Sequence, residues 1–443
     1  MTTTKMATRR EIFGWAMFDF ANQAYTTLII TVIFGVTFTR VIVGDGPDFK
    51  LGNLLWSLSL CVSYVLVVLL APVCGAIMDH AGSKKKFLFA SYIVTVISTA
   101  CLYFVEPGMI VTAMMLIIIS NLAYSMGEGF IAAFLPQLGP PETLGRISGF
   151  GWALGYIGGL FATGFVLLVL GGIEESNFEN LRYTGPLAAV FFLIGAIPTF
   201  LWLKEGRTKK TETSPGFYIK SGFTRIKETL AQLPRFRDLG FFLISLFFAM
   251  AGLYIIISFT FIYGDQIIRW EPKFQMLMFV LTQVFAACGA ILFGLLQDRL
   301  GAKKTFNLTL ILWIISITLI YLTVDIAHLL SSLLQTDIQP QHVFLAVGCL
   351  AGTGLGSVQS CARTLVGMFT PGTKGAEFFG FWAMALKLAA VFGILGLGVL
   401  QSFVGLQAAI LLCLALFSLA LFFNIFVSEK RGLAAARDYT QAD

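Results

Sequence analysis

The chain has 443 residues, of which 57% are hydrophobic and only 12% charged, with a mean hydropathy of +0.84 and a formal net charge of +6. A soluble domain carries about 25% charged residues, so this composition excludes an ordinary water-soluble protein. The positive charges sit in the connections between apolar runs, which gives no argument for nucleic-acid binding.

A helix crossing the hydrocarbon core needs about 20 mostly apolar residues. In chain order such runs are predicted at 12–43, 54–78, 86–105, 109–136, 147–171, 185–203, 239–263, 276–297, 305–324, 341–369, 376–401 and 406–427. The alternating ten-residue pattern of a transmembrane β-barrel is absent. The fold class expected is an all-α membrane protein with twelve transmembrane helices.

The segment 204–238 mixes Lys, Arg, Glu and Thr with Pro215 and Pro234, and it divides the chain into 1–203 and 239–443. Within it, 217–233 has the pattern of a short basic amphipathic helix lying on the membrane surface, a tether between the halves. Counting lysine and arginine in the connections places 23 of the 30 on one side and five on the other. That bias predicts that both termini and the central segment face the cytoplasm. The first apolar run is long and has no small-residue cleavage site, so no secretory signal peptide is expected. The seven cysteines are scattered through apolar runs without ligand spacing, which predicts neither disulfides nor a metal site.

One connection is written twice. Gly75, Asp79, Gly82, Lys84 and Lys85 recur as Gly294, Asp298, Gly301, Lys303 and Lys304, offset by 219 residues. A membrane chain that repeats one loop in each half is built from two similar halves, an arrangement typical of transporters. The spacing Gly-x-x-x-Asp-(Arg/Lys)-x-Gly-x-Lys between the second and third runs resembles the signature of the major facilitator superfamily, with its echo between the eighth and ninth. Gly75 and Gly294 allow close helix approach. Asp79 and Asp298 stand at helix ends, where they can accept hydrogen bonds and salt bridges from neighbouring helices. These residues, with Gly82, Arg299 and Gly301, are read as gating elements, as are Arg146 and Glu377 at other helix ends. His80 and Ser83 stand in the first copy where the superfamily prefers basic residues.

A narrower resemblance covers most of the chain. The stretch Gly14–Tyr25, with Trp15, Asp19, Asn22 and Gln23, is similar to the opening of the vacuolar-effluxer-like branch of that superfamily. That branch includes bacterial permeases and the yeast vacuolar amino-acid exporter linked to autophagy. The segment Pro140–Gly159 is similar to its most recognisable block, and Gly356–Arg363 with Glu377–Lys387 matches the stretch in the tenth and eleventh helices. The resemblance implies two pseudo-symmetric six-helix bundles and a small-molecule cargo such as an amino acid.

Ionisable residues inside a membrane are functional candidates by default. In the first half these are Asp19, spaced i, i+3 and i+4 from Asn22 and Gln23, with Tyr25 beside them, and Glu128 between two glycines. In the second half they are Arg363, four residues after Gln359, and Lys387. Carboxylates from one half and cations from the other suit a zwitterion or an anion, whose carboxylate an arginine grips with two donors. Substrate binding is therefore assigned to Asp19, Asn22, Gln23, Tyr25, Gln359, Arg363 and Lys387.

No GxxxxGK[ST] loop is present, so ATP hydrolysis is not the energy source. Burial disfavours a charged carboxylate, which makes Asp19 and Glu128 the proton-coupling candidates, with sodium as the other possible ion. The expected function is secondary transport of an amino-acid-like solute, a symporter working by rocker-switch alternating access. The alternatives are a lysolipid flippase, for which the 43 phenylalanines could line a greasy cavity, and a permease for another metabolite such as a muropeptide. A non-transporting receptor on the same fold would not need coupling carboxylates. No nucleophile–base pair or ligand cluster predicts an enzyme, and no cofactor is expected. The predicted setting is a monomer in a bacterial inner membrane.

Overall fold

A computed structural model describes residues 6–44, 50–170, 177–205 and 235–442. The tether helix expected at 217–233 lies outside the described residues. Among the described residues twelve helices are long and apolar enough to cross a membrane. They are α1 (Arg9–Val43), α2 (Leu51–Ala81), α3 (Lys84–Phe104), α4 (Ile110–Gln137), α5 (Pro141–Leu170) and α6 (Phe178–Trp202) in the first half. The second half contributes α7 (Arg237–Ile268), α8 (Lys273–Leu300), α9 (Ala302–Tyr321), α10 (Pro340–Phe369), α11 (Gly375–Val404) and α12 (Leu406–Ile425). Each predicted run overlaps one of them, and the all-α membrane architecture follows.

Local chemistry sets the helix ends. Thr8 caps α1 by accepting the Glu11 N–H at 3.3 Å, with the Glu11 charge in the first turn. The α-helix holds to Ala24 and then widens into π-helical turns over Tyr25–Val32 and Phe38–Val43, ending at Gly44 in the left-handed region. The C-terminal end of α7 does the same: π-helical Gly264–Ile268 is followed by Arg269 at φ 56°. Pro198 interrupts α6 just after Gly195, because a proline cannot donate to the preceding turn. Pro72 is accommodated inside α2.

Two more helices fall mostly outside the predicted runs. Thr323–Leu334 follows α9 in what reads as a connection. Glu429–Ala442 follows α12, where the sequence suggests only a polar tail. Its Arg431 grips Asp238 of α7 through two donors at 2.6 and 2.7 Å, and its Gly432 lies against the Phe369 ring of α10.

The chain forms two compact units. One consists of the described residues of Met1–Pro140, Leu154–Leu230 and Gly372–Met384; the other of those of Pro141–Ala153, Ala231–Pro371 and Ala385–Asp443. In the first unit the start of α11 runs antiparallel to α2, with Gly75 against Ala376 and Gly380 against Ala71. In the second the start of α5 runs antiparallel to α8 in the same manner, with Gly145 against Gly294 and Gly149 against Ala290. A Cβ at Gly75 or Gly149 would overlap a backbone carbonyl, so only glycine permits these crossings.

Candidate functional site

The polar face of the first unit is built on the seam between α1 and α4. Trp15 Nε1 donates to the Ile131 carbonyl at 2.8 Å, Phe18 packs on Gly127, and the Tyr25 hydroxyl bonds Ser120 Oγ at 2.8 Å. The helices are therefore antiparallel, and residues 15, 18 and 25 of α1 meet residues 131, 127 and 120 of α4. That register puts Asp19 and Glu128 at the same depth. Asp19, Gln23 and Thr26 form a half-buried stripe, and Glu128 is half-buried among neighbours from Ala123 to Leu135 that are otherwise buried. The backbone of Gly155 in α5 approaches Asp19 closely.

Asn22 and Tyr25 turn the other way, into the seam, at 5% and 1% exposure. Tyr25 stacks on Tyr124 with centroids 4.8 Å apart, and Thr26 Oγ1 donates to the Tyr124 hydroxyl at 2.6 Å. Asn22 Oδ1 is buried without a hydrogen-bond partner among the described residues. Tyr25→Phe deletes the bond to Ser120, and its expected cost is about 1 kcal/mol in thermal unfolding. An unchanged melting temperature would show that this bond adds no net stability.

In the second unit Arg363 of α10 is 2% exposed and already engaged. Its Nε donates to Ser148 Oγ at 3.1 Å, its Nη2 donates to the Ser148 carbonyl at 3.0 Å, and its guanidinium lies 5.2 Å from the Trp152 ring. Ser148 Oγ in turn donates to the Ser360 carbonyl at 3.0 Å. The sequence reading assigned Arg363 a role but missed these α5 partners. The signal was available, because Ser148 and Trp152 lie inside the 140–159 block. Gln359, one turn before Arg363, is half-buried and bonds the Leu355 carbonyl of its own helix at 3.3 Å. Lys387 of α11 is buried at 5% exposure.

The two aspartate loops have unequal chemistry. Asp79 pairs with Lys84 at 3.1 Å, both nearly fully buried, while its second oxygen accepts the Glu377 N–H at 2.8 Å and so caps α11. Glu377 is completely buried and faces Lys374 at 3.9 Å. Asp298 instead takes the Arg146 N–H of α5 at 3.4 Å and faces the Arg146 guanidinium at 3.7 Å, with the arginine half exposed. Gly82 and Gly301 turn the two loops at φ +57° and +92°, backbone angles that glycine adopts without strain. Arg299 is exposed.

Just beyond each turn a lysine hooks the last helix of its own half. The Lys85 backbone N–H reaches Glu205 at 3.0 Å and its ammonium the Leu203 carbonyl at 2.7 Å. Lys303 does likewise to Glu429 at 3.0 Å and the Val427 carbonyl at 2.5 Å. Lys303→Ala removes the hook's ammonium bonds, and a loss on the order of 1–2 kcal/mol is expected by thermal unfolding. A wild-type melting temperature would mean that the hook is dispensable.

Residues 55–437 match the family model of the Atg22-like vacuole effluxers. The chain belongs to that family. An uncharacterized MFS-type transporter of Bacillus subtilis (strain 168) is 25% identical over 425 residues, covering 94% of each chain. An autophagy-related protein 22-1 of Emericella nidulans is 22% identical over 256 residues, which are 56% of this chain and 43% of that relative. Among solved structures, a proton:xylose symporter of the major facilitator superfamily superposes with a TM-score of 0.70 at 14% identity, covering 97% of this chain and 99% of the other. This Atg22-like protein is thus an integral membrane protein with the major facilitator fold.

Proposed function

We propose that this Atg22-like chain is a secondary transporter for a small zwitterionic or anionic solute of the amino-acid type, coupled to protons. The half 1–203 and the half 239–443 rock against each other in alternating access. The observation that carries the reading is the pairing at one depth of two half-buried carboxylates, Asp19 on α1 and Glu128 on α4, beside the half-buried Gln23 and Thr26. Carboxylates inside a bilayer are costly, and a site that gains and loses protons is a recurrent reason to keep them. Arg363 supplies a planar two-donor group that matches a carboxylate. In this arrangement its Nε and Nη2 donate to Ser148, so a cargo carboxylate gripped by that edge exchanges with the serine. Gln23, Gln359 and Lys387 complete the binding set, while Asn22 and Tyr25, expected there from the sequence, sit in the α1–α4 seam and hold α1 in place behind it. The monomer lies in a bacterial inner membrane with both termini cytoplasmic.

The test is a thermal-shift screen of purified protein against amino acids, dipeptides, organic acids and lysolipids. Stabilisation by a zwitterion or organic anion is expected, falling at least tenfold in apparent affinity in Arg363→Ala and recovering only partly in Arg363→Lys. Stabilisation by lysolipids alone, equal in the wild type and Arg363→Ala, would overturn the reading.

A further inference from the structure

Gln297 has no place in the sequence assignments. It stands in the second glycine–aspartate repeat, three residues after Gly294, on the stretch of α8 that meets the start of α5. It is 4% exposed, and neither its amide nitrogen nor its amide oxygen has a hydrogen-bond partner among the described residues. Gly145 of α5 packs directly on its Cβ. The matching position of the first repeat, three residues after Gly75, is Met78, an apolar side chain at 0% exposure.

We propose that Gln297 is a built-in destabiliser of the α5–α8 seam, placed so that this seam parts more readily than its α2–α11 counterpart. A buried donor and acceptor left unmade penalise the packed arrangement, and the penalty vanishes when the helices separate and water reaches the amide. Met78 has no polar side-chain atom to leave unmade, and the buried carboxylate at that seam, Glu377, faces Lys374 at 3.9 Å. The ion pairs point the same way. Asp79 and Lys84 are 3.1 Å apart with side chains 2% and 7% exposed, whereas Asp298 and Arg146 are 3.7 Å apart at 17% and 50%. The amide hydrogen bonds rank likewise, 2.8 Å to Asp79 against 3.4 Å to Asp298. The two copies of one motif thus form a firm seam and a loose one, and the loose one carries the misplaced amide. The inference does not depend on which solute is carried.

The experiment is hydrogen–deuterium exchange on the full chain in nanodiscs, comparing the wild type with Gln297→Met, which installs the residue of the first repeat. Exchange over 144–150 and 294–300 is expected to slow roughly tenfold, with 75–80 and 375–380 unchanged. Met78→Gln provides the mirror test, with exchange expected to accelerate over 75–80 and 375–380. Unchanged or faster exchange over 144–150 in Gln297→Met overturns the proposal, because the amide is then satisfied in place. Equal slowing at both seams overturns it too, since the effect would be general stabilisation. Gln297→Met alone decides if Met78→Gln does not fold.

Discussion

Asp79→Ala is expected to cost about 3–5 kcal/mol of stability, the largest single effect in the first unit. The substitution leaves the Lys84 ammonium buried at 5% exposure without its carboxylate, and it removes the acceptor that caps α11 at the Glu377 N–H. An uncompensated buried charge is more harmful than the absence of the whole pair, because the remaining ion keeps its desolvation penalty. The double variant Asp79→Ala with Lys84→Met should therefore be more stable than Asp79→Ala alone. Thermal unfolding of the three proteins in one detergent measures this directly. Asp79→Ala melting within a degree of the wild type would show that Lys84 finds another partner or water, and the argument from burial would fail.

Gly158→Val is the second large expectation. Gly158 of α5 lies so close to Phe20 of α1 that an added Cβ would overlap its carbonyl oxygen, and the contact is backbone, which cannot swing aside. Overpacking a tight core costs typically 1–3 kcal/mol and occasionally more. Here the displaced backbone is one residue from Asp19, so α1 must shift where its candidate carboxylate stands. Lower thermal stability is expected together with weakened ligand-induced stabilisation. Gly398→Val is the control, since no heavy atom lies within 4 Å of a Cβ at that position. Equal behaviour of the two variants would show that the α1–α5 approach is not tight in the membrane.

The twelve spans were legible because hydropathy over about 20 residues is a property of the sequence itself. The paired glycine–aspartate loops were legible for a similar reason, since a repeat needs no geometry to be seen. The partners of those aspartates were not. Asp79 finds the amide of Glu377, and Asp298 that of Arg146, across separations that no local pattern encodes. The half-buried stripe of Asp19, Gln23 and Thr26 follows from helical spacing, but Asn22 and Tyr25 turn away from it into the α4 seam. Spacing fixes which residues neighbour each other on a helix; the packing partner decides which of them is covered. The π-helical turns after Ala24 also escaped, because widening a helix changes its bonding without changing its hydropathy.

The two lysine hooks record how the halves diverged. Counted along the sequence, Lys84 corresponds to Lys303; by what they hold, Lys85 does. After its glycine the first turn enters the next helix one residue later, at Lys84 rather than at the counterpart of Ala302, and this places Lys84 to neutralise Asp79. The second loop has no such spare lysine, and Asp298 borrows its counter-charge from Arg146 of another helix. When the helices separate, one aspartate carries its neutraliser with it and the other is stripped bare. A shift of one residue in where the following helix begins thus leaves one joint self-contained and the other dependent on its neighbour.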